Sequence, residues 1–356
     1  MKNEIVYRFG GIDTATQQAD LFNRVFNQCA TVASWKRKYL DNPLSNANTV
    51  MCAFDGDKIV GINGFVPMEY VCDGEVYRVV QSCDTAVDPE YRGCGIFSKM
   101  IVRAQELFAE EGYDSMVGYP NGNSYRGFLK LGWKEQARTM KYFYPCCVKK
   151  VAEEMLSKNL PGFLDPLANI WRVLHTGRYH VKESDYAIAR STHIGAEEYL
   201  SFLENVGFRI RITQEYLDWK LSAGYLYYTV RHGSEPICRM LVCNYTVKEG
   251  FLRGNILGIK RETDSKAELC KAIALLLKEL FQQYDVLSVW ENDDAMINEV
   301  LRRVGFIKNL STKGGSPFIV KPLSNDQATR DRFLRLSAWH PSFIEADYVL
   351  DQYVKE

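Results

Sequence analysis

The chain has 356 residues, 46% hydrophobic and 25% charged, with 44 Lys plus Arg balanced by 44 Asp plus Glu. That length favours two domains, and the composition is that of a folded protein with sizeable cores. A formal net charge of zero denies the chain the broad positive field that holds nucleic acid or anionic lipid, so neither a nucleic-acid nor a membrane partner is expected. The ten cysteines and five histidines (His175, His180, His193, His232, His340) are dispersed without paired metal-ligand spacing, so no metal is expected. The opening "MKNEIVYRFG" lacks the apolar core of a signal peptide, and the longest apolar run is the short "AIALLL". Both observations suit a reducing cytoplasm with free thiols, and the adjacent Cys146 and Cys147 read as packing residues.

The first half opens with a strand and a helix. Three β-type runs follow in "TVMCAFDGDKIVGINGFVPMEYVCDGEVYRVVQSCDTAV", separated by the turns "DGD" and "CDG", which predicts an antiparallel meander. Next comes a helix whose apolar positions Phe97, Met100, Ile101, Ala104, Leu107 and Phe108 share one face, stopped at Gly112. A short strand "DSMVGYP", a short helix through "NSYRGFLKL" and the turn "GWKE" complete this half.

The second half runs through the same order. "QYDVLSVWENDDAMINEVLRRVGFIKN" parallels "GYDSMVGYPNGNSYRGFLKLGWKE": each has Tyr-Asp, a strand, an Asn eight residues after the Tyr (Asn121, Asn292), a helix, then Gly-aromatic. Trp35-Lys36 and the turn at Gly56 also have loose counterparts in Trp219-Lys220 and the turn at Gly233. A diverged internal duplication accounts for this order. The expected units are residues 1–145, a helical connector over 146–184 broken by Pro161 and Pro166, a second unit over 185–325, and an aromatic segment over 326–356 that packs back on the body.

The stretch "VDPEYRGCGIFSKM" between the meander and the long helix carries the chemistry. A Walker A loop fails, because Ser98 stands at the second glycine position and Met100 follows Lys99. A dinucleotide fingerprint fails as well: position 98 is Ser, and five polar or turn residues separate the strand end at Val87 from the glycines. What remains is Arg92-x-x-Gly95 opening an amphipathic helix, where free N–H groups and the positive end of the dipole meet a glycine turn. Such a turn suits a pyrophosphate, that of coenzyme A included.

"AVDPEYRGCGIFSKMI", a strand, then "PNGNSYRGFLKLGW" resembles the GNAT superfamily of acyl-CoA-dependent N-acetyltransferases. The resemblance spans roughly the first 145 residues in element order and is specific over about 50 of them. It implies an α/β (α+β) fold of two tandem GNAT-like units, each with a mixed, mostly antiparallel central sheet flanked by helices. It also implies that the strand ending Ala86-Val87 pairs with the pantetheine arm. Gly93, Cys94, Gly95, Ile96 and Phe97 would present N–H groups to the pyrophosphate, Arg92 would flank the loop, and Asn121 would open the helix beside acetyl-CoA. Two departures stand out. Phe97 replaces the family's last small residue, a trait shared with similar tandem bacterial acetyltransferases. Phe128 stands where the family's proton-donating Tyr belongs, which leaves Tyr125, one helical turn earlier, as a displaced donor or a half-buried ring.

Direct transfer needs an uncharged amine, so a base or a water relay must take a proton from a group with a pKa of about 10. Asp84, inside the presumed cofactor strand, is either that base or a structural carboxylate, and Glu69 near a strand end is the second acid. Gln81 and Cys83 are poorly suited to the work. Before the second long helix stands "LGIKRETDSKAEL", which lacks Arg-x-x-Gly, so the second unit is expected to bind no acetyl-CoA. It would support the first, close one side of the acceptor site, or make a homodimer contact. The expected function is acetyl-CoA-dependent N-acetylation of a small-molecule amine. A non-catalytic acyl-CoA-binding or regulatory module, and an aminoacyl or longer-acyl transferase on the same duplicated fold, remain as alternatives.

Overall fold

A computed structural model describes residues 4–46, 48–156, 165–203, 206–222, 224–248, 250–309, 315–336, 338–347 and 350. The first strand, β1 (Ile5–Phe9), precedes helices α1 (Ala15–Phe26) and α2 (Val32–Tyr39). The meander follows as β2 (Val50–Asp55), β3 (Lys58–Cys72) and β4 (Glu75–Val87). Its second hairpin turns on Asp73 and Gly74, both left-handed at φ 53° and 82°, a pair that suits the right-handed twist of the flanking strands. Helix α3 (Ile96–Glu110) buries Ile96, Met100, Ile101, Ala104 and Phe108 and ends before Gly112, whose φ is 77°. It packs so close to β3 that a Cβ on Gly61 would come within 2.8 Å of Ile96 Cγ2. Then come β5 (Ser115–Gly118), α4 (Tyr125–Lys130), β6 (Lys134–Thr139) and β7 (Lys141–Pro145).

The connector forms α5 (Val148–Leu156) and α6 (Asp165–Thr176). Pro166 falls in the first turn of α6, where a missing N–H costs nothing. Pro161 lies outside the described residues. Trp171 ties α6 to the second half by donating to the Gly305 carbonyl at 2.9 Å. That half contains β8 (Tyr186–Ser191), α7 (Ala196–Leu200), β9 (Arg209–Ile210), α8 (Gln214–Lys220), β10 (Tyr225–His232), β11 (Glu235–Lys248) and β12 (Phe251–Arg261). It continues with α9 (Lys266–Gln283), β13 (Val286–Trp290), α10 (Ala295–Arg303), β14 (Ile307–Lys308), β15 (Ser316–Pro322) and α11 (Gln327–Phe333).

Two mixed, mostly antiparallel sheets result, and they are connected in the same order. The first runs β1-β2-β3-β4-β5-β15-β6, with β9 added on β3, and the second runs β8-β10-β11-β12-β13-β7-β14. The central strands β4 and β5 pair in parallel, as do β12 and β13. Helices α3 and α4 cover one face of the first sheet, and α9 and α10 cover the equivalent face of the second.

The sheets do not follow the division at residue 145. Strand β7 lies in the second sheet between β13 and β14, and β15 lies in the first between β5 and β6. Each half therefore lends its last strand to the other. Adjacency in sequence suggests a β6–β7 hairpin, but a short half-apolar strand fits the open slot of either sheet, and only packing decides which. The carboxy-terminal segment does pack back: Trp339, Phe343, Ile344, Ala346 and Leu350 are buried. Residues 351–356 lie outside the described set.

Candidate active site

The last parallel pair between β4 and β5 is Ser82 with Gly118. Beyond it the strands diverge, and the edge of β4 from Cys83 to Val87 faces a cleft of about 710 Å³. Opposite Asn63 the ladder of β3 and β4 is irregular, and Asp84 adopts φ 45°. This bulge turns the Asp84 carboxylate into the cleft lining, with Ala86 and Val87 on the same wall.

At the mouth of the cleft stands the cradle. Gly93 and Gly95 hold φ 79° and 74°, and a Cβ on either would meet no atom within 4 Å, so their left-handed backbone faces open space. Gly95 caps α3 without a side-chain hydrogen bond, and no acidic residue stands in the first turn. Among the described residues no acceptor takes the N–H groups of Gly93, Cys94, Gly95, Ile96 and Phe97. Helices α2, α8, α9, α10 and α11 are capped by a Thr, Ser or Asp side chain, whereas α1, α4 and α7, like α3, have no side-chain cap hydrogen bond. A helix start left uncapped beside two glycines and the exposed Arg92 is built for an anion. These residues fit a diphosphate.

The opposite wall is α4 and the turn before it. Asn121 Oδ1 accepts from the N–H groups of Asn123 and Ser124 at 3.0 and 3.1 Å, so Asn121 opens this helix. Phe97 finds its place here. Its ring packs edge-on against Phe128, centroids 5.2 Å apart, and Phe128 packs in turn on Trp133 at 4.8 Å. A Cβ on Gly127 would lie 2.7 Å from Phe97 Cε1, so the large residue on α3 is matched by the absent one on α4. Tyr125 does not face the cleft: its hydroxyl donates to Glu135 at 2.5 Å, and it packs with the α3 side of the sheet.

The floor of the cleft is polar. Asp84 Oδ2 accepts from Lys38 Nζ at 2.7 Å and from Tyr39 Oη at 2.5 Å, and Lys38 also reaches Asp347 at 3.3 Å. Tyr39 comes this close because Gly64 has no side chain; a Cβ there would lie 2.1 Å from the phenol oxygen. Burial, and then the Asp84 charge, push the Tyr39 phenol well above its ordinary pKa, so it remains a donor. Burial likewise holds the Cys83 thiol well above its usual value, which disqualifies it as a nucleophile. Cys83, Asp84 and Asp347 place ligand atoms within 4.8 Å of one another. The Lys38 ammonium already supplies the cation at this cluster.

Glu69 is elsewhere. It pairs with Arg211 at 2.6 Å on the stretch that adds β9 to β3, where it holds the two halves together. Sequence reasoning passed over Lys38, Tyr119, Tyr245 and Asp347, which no local spacing marks. Tyr119 follows β5 and lines the cleft, and its hydroxyl donates to Glu345 at 3.3 Å. Glu345 is fully buried, which pushes its pKa up against the hydrogen bonds from Tyr70 and Ser342. Tyr245 comes from the second sheet and Asp347 from the carboxy-terminal segment, so the cleft is completed by parts far away in sequence.

The second sheet splays in the same way after Ile256 and Val289. Here only about 80 Å³ is open, because the carboxy-terminal segment fills the gap and Phe343 stacks on Trp290 at 5.0 Å and 9°. Gly258 stands where Asp84 stands in the first sheet, two residues beyond the last parallel pair. Ser265 caps α9 by accepting from Glu268 N–H.

Residues 7–135 match the family described as acetyltransferase (GNAT) domain. A search of curated protein sequences finds no match. A conserved Enterococcus faecalis protein of unknown function shares the fold at 14% identity and TM-score 0.59, covering 90% of this chain and 73% of that one. A GCN5-related N-acetyltransferase from Anabaena variabilis shares it at 10% identity and TM-score 0.56, covering 90% and 73%. One from Kribbella flavida does so at 12% and 0.54, covering 90% and 71%. At such identities the likeness speaks for the fold alone, while the family match covers the glycine turn before α3, the β4 wall of the cleft and α4. Residues 7–135 thus match the GNAT acetyltransferase domain, and the two sheets fit a tandem arrangement of that fold.

Proposed function

We propose that the chain is an acetyl-CoA-dependent N-acetyltransferase that moves the acetyl group directly to a small-molecule amine, using the first cleft alone. The observation that carries this reading is the uncapped start of α3 at the mouth of a splayed cleft, within the segment that matches the family. Gly93, Cys94, Gly95, Ile96 and Phe97 would donate backbone N–H groups to the pyrophosphate with Arg92 alongside, and the free edge of β4 at Ala86 and Val87 would pair with the pantetheine arm. Asn121 shapes the opposite wall. When bound, acetyl-CoA supplies an activated thioester.

The amine nitrogen would bond to the acetyl carbon and the C–S bond break, the nitrogen's proton passing through a water to Asp84 and on to solvent as the sulfur is released and protonated. A β4 N–H would hold the developing oxyanion. Asp84, anchored by Lys38 and Tyr39, would take the amine proton through a water. Phe128 and the outward-turned Tyr125 provide no acid, and none is needed, because the leaving thiolate, with a pKa of about 8.5, would take its proton from solvent. Tyr245 would close the acceptor side on behalf of the second half.

Isothermal calorimetry with acetyl-CoA and with CoA tests the reading, and one site per chain is expected. No binding overturns it, and two sites would mean that the second cleft also opens. Binding without thiol release across an amine panel would make the chain a non-catalytic acyl-CoA-binding module. Faster turnover with longer acyl-CoAs would move it to another acyl class.

A further inference from the structure

The acceptor end of the cleft has an uneven chemistry. Its walls are Phe22 and Val25 on α1, Phe26 at the end of α1, Tyr119 after β5 and Tyr245 from the second sheet. Phe26 is 39% exposed, unusually open for a ring on a helix that otherwise buries its apolar face. It packs at a tilt against Phe22 with centroids 5.0 Å apart, and Phe22 continues to the buried Trp35 at 5.4 Å, so the exposed ring is backed by the core. Charge enters only at the floor, as Asp84 and Asp347. Both carboxylates are already answered by the buried Lys38, and Asp347 also lies within electrostatic reach of Lys141. The other charged lining residue, Arg92, belongs to the pyrophosphate end.

A polycation placed here would set its extra ammonium groups against aromatic walls, and among the described lining residues no carboxylate beyond Asp84 and Asp347 receives them. Each such charge would lose its hydration without a partner in return. A single amine on an apolar body matches the site instead. The body covers the exposed ring of Phe26, and the nitrogen reaches toward the Asp84 bulge where the thioester would end. We infer that the acceptor is a primary amine carried on an aromatic or otherwise apolar body with no second charge, as in the arylalkylamines. The inference rests on the acetyltransferase reading above and narrows its substrate class.

The experiment is a steady-state panel on the full chain, with thiol release as readout. Probes are 2-phenylethylamine and tryptamine against spermidine, glucosamine and kanamycin, with acetyl-CoA binding measured separately by calorimetry. The arylalkylamines are expected to give kcat/KM at least tenfold above the polycations and the amino sugar. Phe26→Ser, a change at a part-exposed ring, is expected to raise KM for 2-phenylethylamine about fivefold or more while moving KM for acetyl-CoA less than twofold. Phe26→Leu should restore most of the loss, which a general folding defect would not do. Equal or better turnover of spermidine or kanamycin overturns the inference, as does a Phe26→Ser effect that is the same for every amine. So does turnover of another probe amine with none of either arylalkylamine, whereas acetyl-CoA binding with turnover of no amine at all would strike the acetyltransferase reading. Failure of acetyl-CoA to bind would likewise strike the acetyltransferase reading itself, so the two failures are distinguishable.

Discussion

Asp84 carries a structural load and, in the mechanism proposed above, a chemical one. Its positive φ makes the bulge, and its carboxylate holds Lys38, whose side chain is 2% exposed. Asn tolerates a left-handed backbone and keeps the shape, so Asp84→Asn removes only the charge. Breaking a buried pair from one side costs about 3 kcal/mol in other proteins. Asp84→Asn should therefore lower the urea midpoint by a corresponding amount and reduce kcat at least tenfold; an unchanged midpoint would show that Asp347 alone satisfies Lys38. The residue was legible as an acid in the strand β4. Its partner was not, because Lys38 sits in "WKRKYL" among other basic residues and nothing local marks the one that turns inward.

Helix α3 was the most legible element, since its glycine entry, its apolar face and its Gly112 stop are all local signals. Gly95→Glu tests its cradle. The backbone there is left-handed at φ 74°, which costs a non-glycine residue about 1–2 kcal/mol, and the new carboxylate would occupy the anion site. CoA affinity should fall at least a hundredfold by calorimetry, while Gly95→Ala, which adds the strain without the charge, should fall far less. Equal losses in the two would mean that backbone shape, not charge, governs binding.

Strand β7 carries a different test. Burial at its first residue depresses the Lys141 pKa to about 8, with Arg253 adding to the shift and Asp347 opposing it. The folded state thus loses this proton earlier than the unfolded chain does. Below pH 8 the fold bears the full cost of a buried ammonium, and stability should rise between about pH 8 and 10 as that cost is relieved, by up to about 3 kcal/mol. Lys141→Met should raise stability at pH 7 and flatten this rise in urea titrations; an unchanged slope would place the effect elsewhere.

At the scale of the whole molecule, the strand exchange makes the halves interdependent. A fragment of residues 1–145 lacks β15, leaving β5 and β6 without their common neighbour, and its own β7 has no sheet to join. The fragment should be unfolded or aggregated by circular dichroism and size-exclusion chromatography, whereas the full chain should unfold in one transition. A soluble, folded fragment that binds CoA would show that β7 can replace β15.

By itself the sequence determined what local physics controls. Alternating runs and glycine turns made the meander, a 3.6-residue period made the long helices, and an uncapped glycine entry made the cradle. The repeated Tyr-Asp and Asn spacing announced a second sheet connected like the first. Only the tertiary structure decided which sheet received β7 and β15, which wall Tyr125 faced, and that Tyr245 and Asp347 complete a cleft begun at Phe22. Those outcomes depend on contacts between residues hundreds of positions apart, where the energy of packing and of pairing charges away from water is set by shape in three dimensions and leaves no period in the chain.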